Sequence, residues 1–343
     1  MRRIWILVSL VFTLLLVSCS GDEPVTTAVP TQETTENLPT PTLAPPIGEV
    51  EEATAVSPND TQTEEKPTVA PAATIALNPT PTLLPPTAVP VIINGMASNQ
   101  FVIMDDAAKA NVAAIYAHGQ ETGRDPNTFA ILGDSLIATP QSIAHWDGDT
   151  YALSPEFAHL QPTIDYYAGS FNNYDVSVRV GLHSWSVFDP LWSDKDFCDA
   201  NEDLLTCKIR LANPSVMFIL LGSNDAGSPG GFDFNMRQVV QTVMDAGIVP
   251  ILATKADRFE GGDNINNNII RDIAAEMQVP LMEFDLLAET IPGRGLSSDN
   301  VHLTYSEPYD YNNPDTFTFG YPVHNLAVLV TLDAVRNELE DVN

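Results

Sequence analysis

Short apolar runs alternate with amphipathic stretches from about residue 99 to the end of the 343-residue chain. Residues 128–132, 174–180 (YDVSVRV), 215–222 (SVMFILLG), 247–254 (GIVPILAT) and 279–285 (VPLMEFD) are brief, apolar and rich in β-branched side chains, which predicts strands. Apolar positions at helical spacing predict helices over 99–119, with Gly119 as the C-cap, and over 234–246, 267–277 and 323–339. Apolar strands alternating with helices imply βαβ units. The predicted fold is therefore α/β, with a mostly parallel sheet covered by helices on both faces. Ligands of such sheets bind outside the carboxyl ends of the strands, near the topological switch point. Polar residues just past the strand ends are thus the candidates for chemistry.

The pattern is different before residue 93. Residues 1–19 (MRRIWILVSLVFTLLLVSC) carry two arginines and an apolar run from Ile4 to Val17, too short to span a bilayer, and read as an export signal. Leu16-Val17-Ser18-Cys19 is similar to a bacterial lipobox, which implies lipidation of Cys19 and an exported chain anchored to the extracytoplasmic face of the membrane. Residues 20–92 hold 14 of the 27 prolines, many threonines and the near-repeats PTPTLAPP and PTPTLLPPT. Such a tract buries too little apolar surface to offset its ordering entropy, and proline biases it towards extended polyproline II. The expected organisation is a signal (1–19), a disordered Pro/Thr-rich linker (20–92) and one globular head (93–343).

In the head, acidic residues outnumber basic ones by 35 to 12 and no basic stripe occurs, which argues against nucleic acid and anionic membrane surfaces as partners. Cys198 and Cys207 lie close together in a chain read as exported, and an oxidising compartment predicts a disulfide between them. Neither a third thiol nor a nearby histidine suggests a metal site there.

Four predicted strands lead to residues of interest. The first ends in Gly133-Asp134-Ser135-Leu136, where a serine can project its hydroxyl into the crevice and a following helix N-terminus can offer N–H groups to an oxyanion. The second ends near Gly181, whose N–H a substrate oxygen can approach. The third runs into Gly222-Ser223-Asn224-Asp225, where the Asn224 amide is a candidate second donor. Beyond the fifth lies Asp299-Asn300-Val301-His302, a spacing that can place a carboxylate and an imidazole on one side of a loop. Each motif taken singly is ordinary turn chemistry.

Together, in this order, they make the head resemble the SGNH hydrolases, also called GDSL esterases and lipases, over about residues 125–340. Gly133-Asp134-Ser135-Leu136 matches the family's first block, Gly222-Ser223-Asn224-Asp225 its third and Asp299-Asn300-Val301-His302 its fifth. The resemblance implies a three-layer α/β/α, flavodoxin-like parallel sheet. It also implies Ser135 as nucleophile, His302 as general base and Asp299 orienting it, with Asp134 and Gly222 in support. The oxyanion hole would be the Ser135 and Gly181 N–H groups and the Asn224 side chain. The second block departs from the family pattern, since Arg179-Val180-Gly181 lacks a second glycine; Gly169 is the alternative donor. The implied activity is cleavage of carboxylic esters without metal or organic cofactor, on small-molecule or glycan esters such as O-acetylated carbohydrates. A non-catalytic surface lipoprotein that binds a glycan or cell-wall ligand in the same crevice is the rival.

Two further stretches are set apart. The tyrosine-rich segment 303–320 can either line the substrate site or pack on its own aromatics. The segment 257–268 (DRFEGGDNINNN) offers oxygen ligands but fails the EF-hand spacing, and reads as a solvated acidic loop. His118, His145, His159 and His324 suit packing, turn or surface positions, and His183 lacks a recognisable partner.

Overall fold

The computed structural model describes residues 90–340. The signal segment with Cys19, and residues 20–89 of the proline-rich tract, lie outside the described residues. Within them, Ile92–Ile93 already pairs antiparallel with Met96–Ala97. No helix of the described residues is long and apolar enough to cross a membrane.

The central sheet contains β1 (Val102–Ile103), β2 (Asp125–Gly133), β3 (Pro214–Leu220), β4 (Val249–Ala253) and β5 (Leu281–Met282), in the spatial order β1-β5-β4-β3-β2. Strands β2 to β5 run parallel, and β1 closes the far edge antiparallel to β5. Five longer helices accompany them: α1 (Asp106–Glu121), α2 (Leu204–Ala212), α3 (Pro229–Asp245), α4 (Ile265–Met277) and α5 (Gly320–Glu340).

Strand side chains point alternately to opposite faces, and this sheet is apolar on both. Phe129 and Ile131 of β2, Val216 and Phe218 of β3 and Ile251 of β4 join the core beneath α1 and α5. Ala130, Leu132, Met217, Ile219 and Leu252 join a second core beneath α2, α3 and α4. The result is the expected α/β/α sandwich.

Local chemistry explains where the elements differ from expectation. The predicted helix over 99–119 is interrupted. Val102 and Ile103 are drawn into the sheet edge, and Asp105 caps a helix that starts at Asp106, its side chain accepting the Ala108 N–H at 2.9 Å. The predicted strand over 174–180 shrinks to a single bridge between Val178 and Gly133. There the Ser177 hydroxyl donates to the Ile131 carbonyl at 2.5 Å, satisfying by side chain an acceptor that a longer ladder would use. Helix α2 stands where the apolar pattern predicts none; Asp203 caps it through the Thr206 N–H, and Asn213 ends it in the left-handed region.

Cys198 and Cys207 form the expected disulfide, which ties the loop before α2 to that helix; both are buried with Val176.

Candidate active site

Strand β2 has β3 on one side and the Val178 bridge on the other, so the chain leaves Gly133 at a point where the connections diverge. Ser135 sits two residues beyond. The segment after it is a tight turn, not a helix: the Asp134 carbonyl accepts the N–H groups of Ile137 and Ala138. The buried Tyr321 hydroxyl, at the start of α5, donates to the Leu136 carbonyl at 3.0 Å and braces that turn from behind.

His302 comes from a narrow loop closed by a Leu296–Leu303 bridge and by the Ser297 N–H donating to the His302 carbonyl at 2.7 Å. Asn300 takes positive φ at its tip. Asp299 organises this loop: its Oδ1 accepts from the Ser297 hydroxyl and from the N–H groups of Val301 and His302, at 2.7, 3.0 and 3.0 Å. Its Oδ2 lies 2.7 Å from His302 Nδ1, and His302 Nε2 lies 2.9 Å from Ser135 Oγ. The Val301 N–H, the His302 imidazole and the Ser297 hydroxyl hold the Asp299 carboxyl well below the usual carboxylate range. The pair is open to water, with side-chain exposures of 43% for His302 and 50% for Asp299, so solvent screens its attraction.

Asp134 is fully buried. Its Oδ1 accepts the Leu136 N–H at 2.9 Å, and its Oδ2 lies 3.2 Å from Asn224 Nδ2. Burial pushes its carboxyl up to about 7; the Leu136 N–H opposes this shift, while the negative charges of Asp257 and Asp225 add to it. The Asn224 amide also donates to the Leu182 carbonyl at 3.1 Å, so it bridges the Ser135 turn and the Gly181 segment. Both its N–H directions are thus engaged, and an oxyanion would compete with Asp134 for one of them. Among the described residues, the backbone N–H groups of Ser135 and Gly181 have no acceptor. Gly181 has φ +77° and open space where a Cβ would stand. Gly169 is placed differently: its N–H donates to Asp147 at 2.6 Å, away from these groups.

His183 does have a partner, the Gly181 carbonyl, 2.9 Å from its Nδ1. The next residue, Ser184, is fastened to Asp225 through both its N–H and its hydroxyl. His145 and His324 are buried and desolvation pushes both down to about 4, which keeps them neutral packing groups. In segment 303–320, Tyr309 stacks on His145 and Tyr311 on Trp146, both tyrosines buried, while Tyr305 is exposed. Tyr309 and Tyr311 thus anchor the middle of that segment against residues 145–152, joined there by pairing of Tyr151–Ala152 with Tyr309–Asp310.

The segment 257–268 corrects in part the expectation of a solvated acidic loop: Arg258, Phe259, Asp263 and Asn268 are exposed, but two of its acidic side chains are not. The side chains of Asp257 and Glu260 are fully buried and both pair with the equally buried Lys255. Sequence reading misses this cluster, and Tyr321 with it, because its burial depends on distant partners: Asp257 meets Ser223, Asn266 meets the Gly222 carbonyl and Tyr321 meets Leu136.

No family model and no curated protein matches the chain. Among solved structures, it is similar to TesA, at 18% identity and a TM-score of 0.38 over 61% of this chain and 99% of that one. It is similar also to a catalytic mutant of Axe2, an acetylxylan esterase from Geobacillus stearothermophilus (13%, TM-score 0.37, 61% and 94% covered). A lipolytic protein of the G-D-S-L family from Desulfitobacterium hafniense matches at 14% and 0.37, over 60% and 99%. The α/β/α architecture itself is read from the sheet and its two helical layers.

Proposed function

We propose that the chain is an exported, lipid-anchored serine ester hydrolase of the SGNH type. The observation that supports this reading is the unbroken contact chain from Ser135 Oγ through His302 to Asp299, at 2.9 and 2.7 Å. In the proposed reaction, Ser135 Oγ attacks the ester carbonyl while His302 Nε2 takes its proton. Asp299 holds the ring through Nδ1 and stabilises the imidazolium. The tetrahedral oxyanion accepts from the free N–H groups of Ser135 and Gly181, and from Asn224 when its amide turns from Asp134. Collapse returns the proton to the leaving alcohol, and water then releases the acyl group from Ser135 by the same steps in reverse.

Small acyl esters are the proposed substrates, with O-acetyl groups on carbohydrates the favoured class for a head carried outside the cell on a long tether. No step calls on a metal or organic cofactor. The lipid anchor would be Cys19.

Hydrolysis of p-nitrophenyl acetate by the purified chain, alongside Ser135→Ala and fluorophosphonate labelling, tests the reading. Turnover and labelling that both vanish in the variant are the expected result. A wild-type chain that neither turns over nor labels would remove the hydrolase and leave a binding crevice.

A further inference from the structure

Behind the Gly222-Ser223-Asn224 turn, six residues close a ring of hydrogen bonds. The Ser223 hydroxyl donates to Asp257 Oδ2 at 2.7 Å. Lys255 Nζ donates to Asp257 Oδ1 at 3.1 Å and to Glu260 Oε2 at 2.6 Å. The other Glu260 oxygen accepts the Asn266 N–H at 3.1 Å, and the Asn266 side-chain amide donates to the Gly222 carbonyl at 2.9 Å. The ring ends where it began, since Gly222 and Ser223 are neighbours in the chain. The side chains of Lys255, Asp257 and Glu260 are wholly buried, as is Asn266. Asn267 fastens the ring from outside, bonding both the N–H and the carbonyl of Lys255.

Burying one lysine with two carboxylates is a poor way to gain stability, because desolvation offsets most of the mutual attraction. What such a cluster does supply is direction: each partner has one geometry that satisfies every donor. Here the direction is imposed on the two residues that precede Asn224, whose amide links Asp134 and Leu182 on the front of the same turn.

We infer that the Lys255–Asp257–Glu260–Asn266 ring is a clamp that positions Asn224 for the reaction, with Ser223 as its point of attachment. Ser223, Asp257 and Asn266 are thus positioning residues acting through Asn224. This inference rests on the hydrolase reading above. It also gives the segment 257–268 a role, as the rear wall of the third strand-end turn.

Steady-state hydrolysis of p-nitrophenyl acetate by the full chain tests the clamp. Asn224→Ala is expected to lower kcat ~100-fold, and Ser223→Ala ~10-fold with KM within about twofold, since a tilted amide loses much of its effect. The double variant should match Asn224→Ala alone, because a clamp has nothing left to position. Losses that multiply to ~1000-fold, or a Ser223→Ala enzyme with unchanged kcat, would overturn the clamp while leaving the esterase standing. Asn266→Ala, at the other end of the ring, should show the same dependence on Asn224 and serves if Ser223→Ala unfolds. A wild-type chain without turnover or fluorophosphonate labelling removes the esterase itself, and the clamp's catalytic role with it.

Discussion

Asp134 and Asp299 are carboxylates that flank Ser135, one next to it in the chain and one reached through His302, yet their surroundings push them in opposite directions. Asp299 accepts four hydrogen bonds at the protein surface and stays ionised. Asp134 is enclosed, and its carboxyl titrates near 7 in the folded chain against an ordinary value of 3.8. Between those values the folded chain holds a proton that the unfolded chain has released. The stability it contributes is full below about pH 4 and is lost as the pH rises through about 7. Asp134→Asn should therefore gain thermal stability relative to wild type on going from about pH 5 to about pH 8, as read by the difference in Tm at the two pH values. At the exposed end, screening weakens the hold of Asp299 on His302. Asp299→Ala is expected to reduce kcat at least tenfold less than His302→Ala, whose loss should reach ~1000-fold or more; steady-state kinetics on one ester compares them.

Turns and loops carry the candidate site residues at the next scale, and each is held by a specific device. Gly222 has φ +127°, which favours glycine, and a Cβ there would stand 3.0 Å from Phe232 Cζ and crowd that ring. Gly222→Ala should cost about 1–3 kcal/mol in chemical denaturation and reduce turnover, because the strain falls on the turn bearing Asn224. The loop before α2 is held by the Cys198–Cys207 disulfide, which spans a sequence separation of 9. Cross-linking so short a loop is worth ~2–3 kcal/mol. Cys207→Ser with Cys198→Ser should lower the unfolding free energy by about that amount. The His302 loop needs neither glycine nor cross-link: Asp299 folds it by accepting its backbone N–H groups, so one side chain shapes the loop and orients the ring.

For the molecule as a whole, the sheet is a wall between two apolar layers, and the site sits where strand ends emerge from it. Phe218 of β3 is fully buried on the α1 and α5 face. Phe218→Ala should destabilise the fold by ~3–5 kcal/mol in equilibrium unfolding, the usual range for emptying such a position. Attachment is a separate matter from the sheet. If Cys19 carries the lipid, Cys19→Ser should move the chain from the membrane fraction to the soluble one without altering ester turnover, and fractionation with an activity assay checks both.

Periodicity alone carries the architecture, because a strand buried on both faces must be apolar throughout and a helix beside it must be apolar on one side. Strands β2 to β4 and helices α3, α4 and α5 are legible on that ground, whereas the strand expected over 279–285 keeps only Leu281–Met282 and gives way to a short helix at Phe284. The helix expected over 99–119 starts later than its pattern predicts, and the strand expected over 174–180 is far shorter, because tertiary partners overrule local preference: a sheet edge claims Val102 and Ile103, and a serine hydroxyl takes an acceptor that a ladder would have used. The positions of Ser135, Asn224, Asp299 and His302 beyond the strand ends are likewise readable, since glycine-rich turns and Asx spacing are local features. What only the tertiary structure decided is how these residues meet. The contact of Ser135 with His302 joins residues 167 apart in the chain, and the Lys255 cluster joins the ends of β3 and β4. Local sequence specifies turns through backbone chemistry, whereas the burial of a charge is set by which elements close over it, and no short motif encodes that.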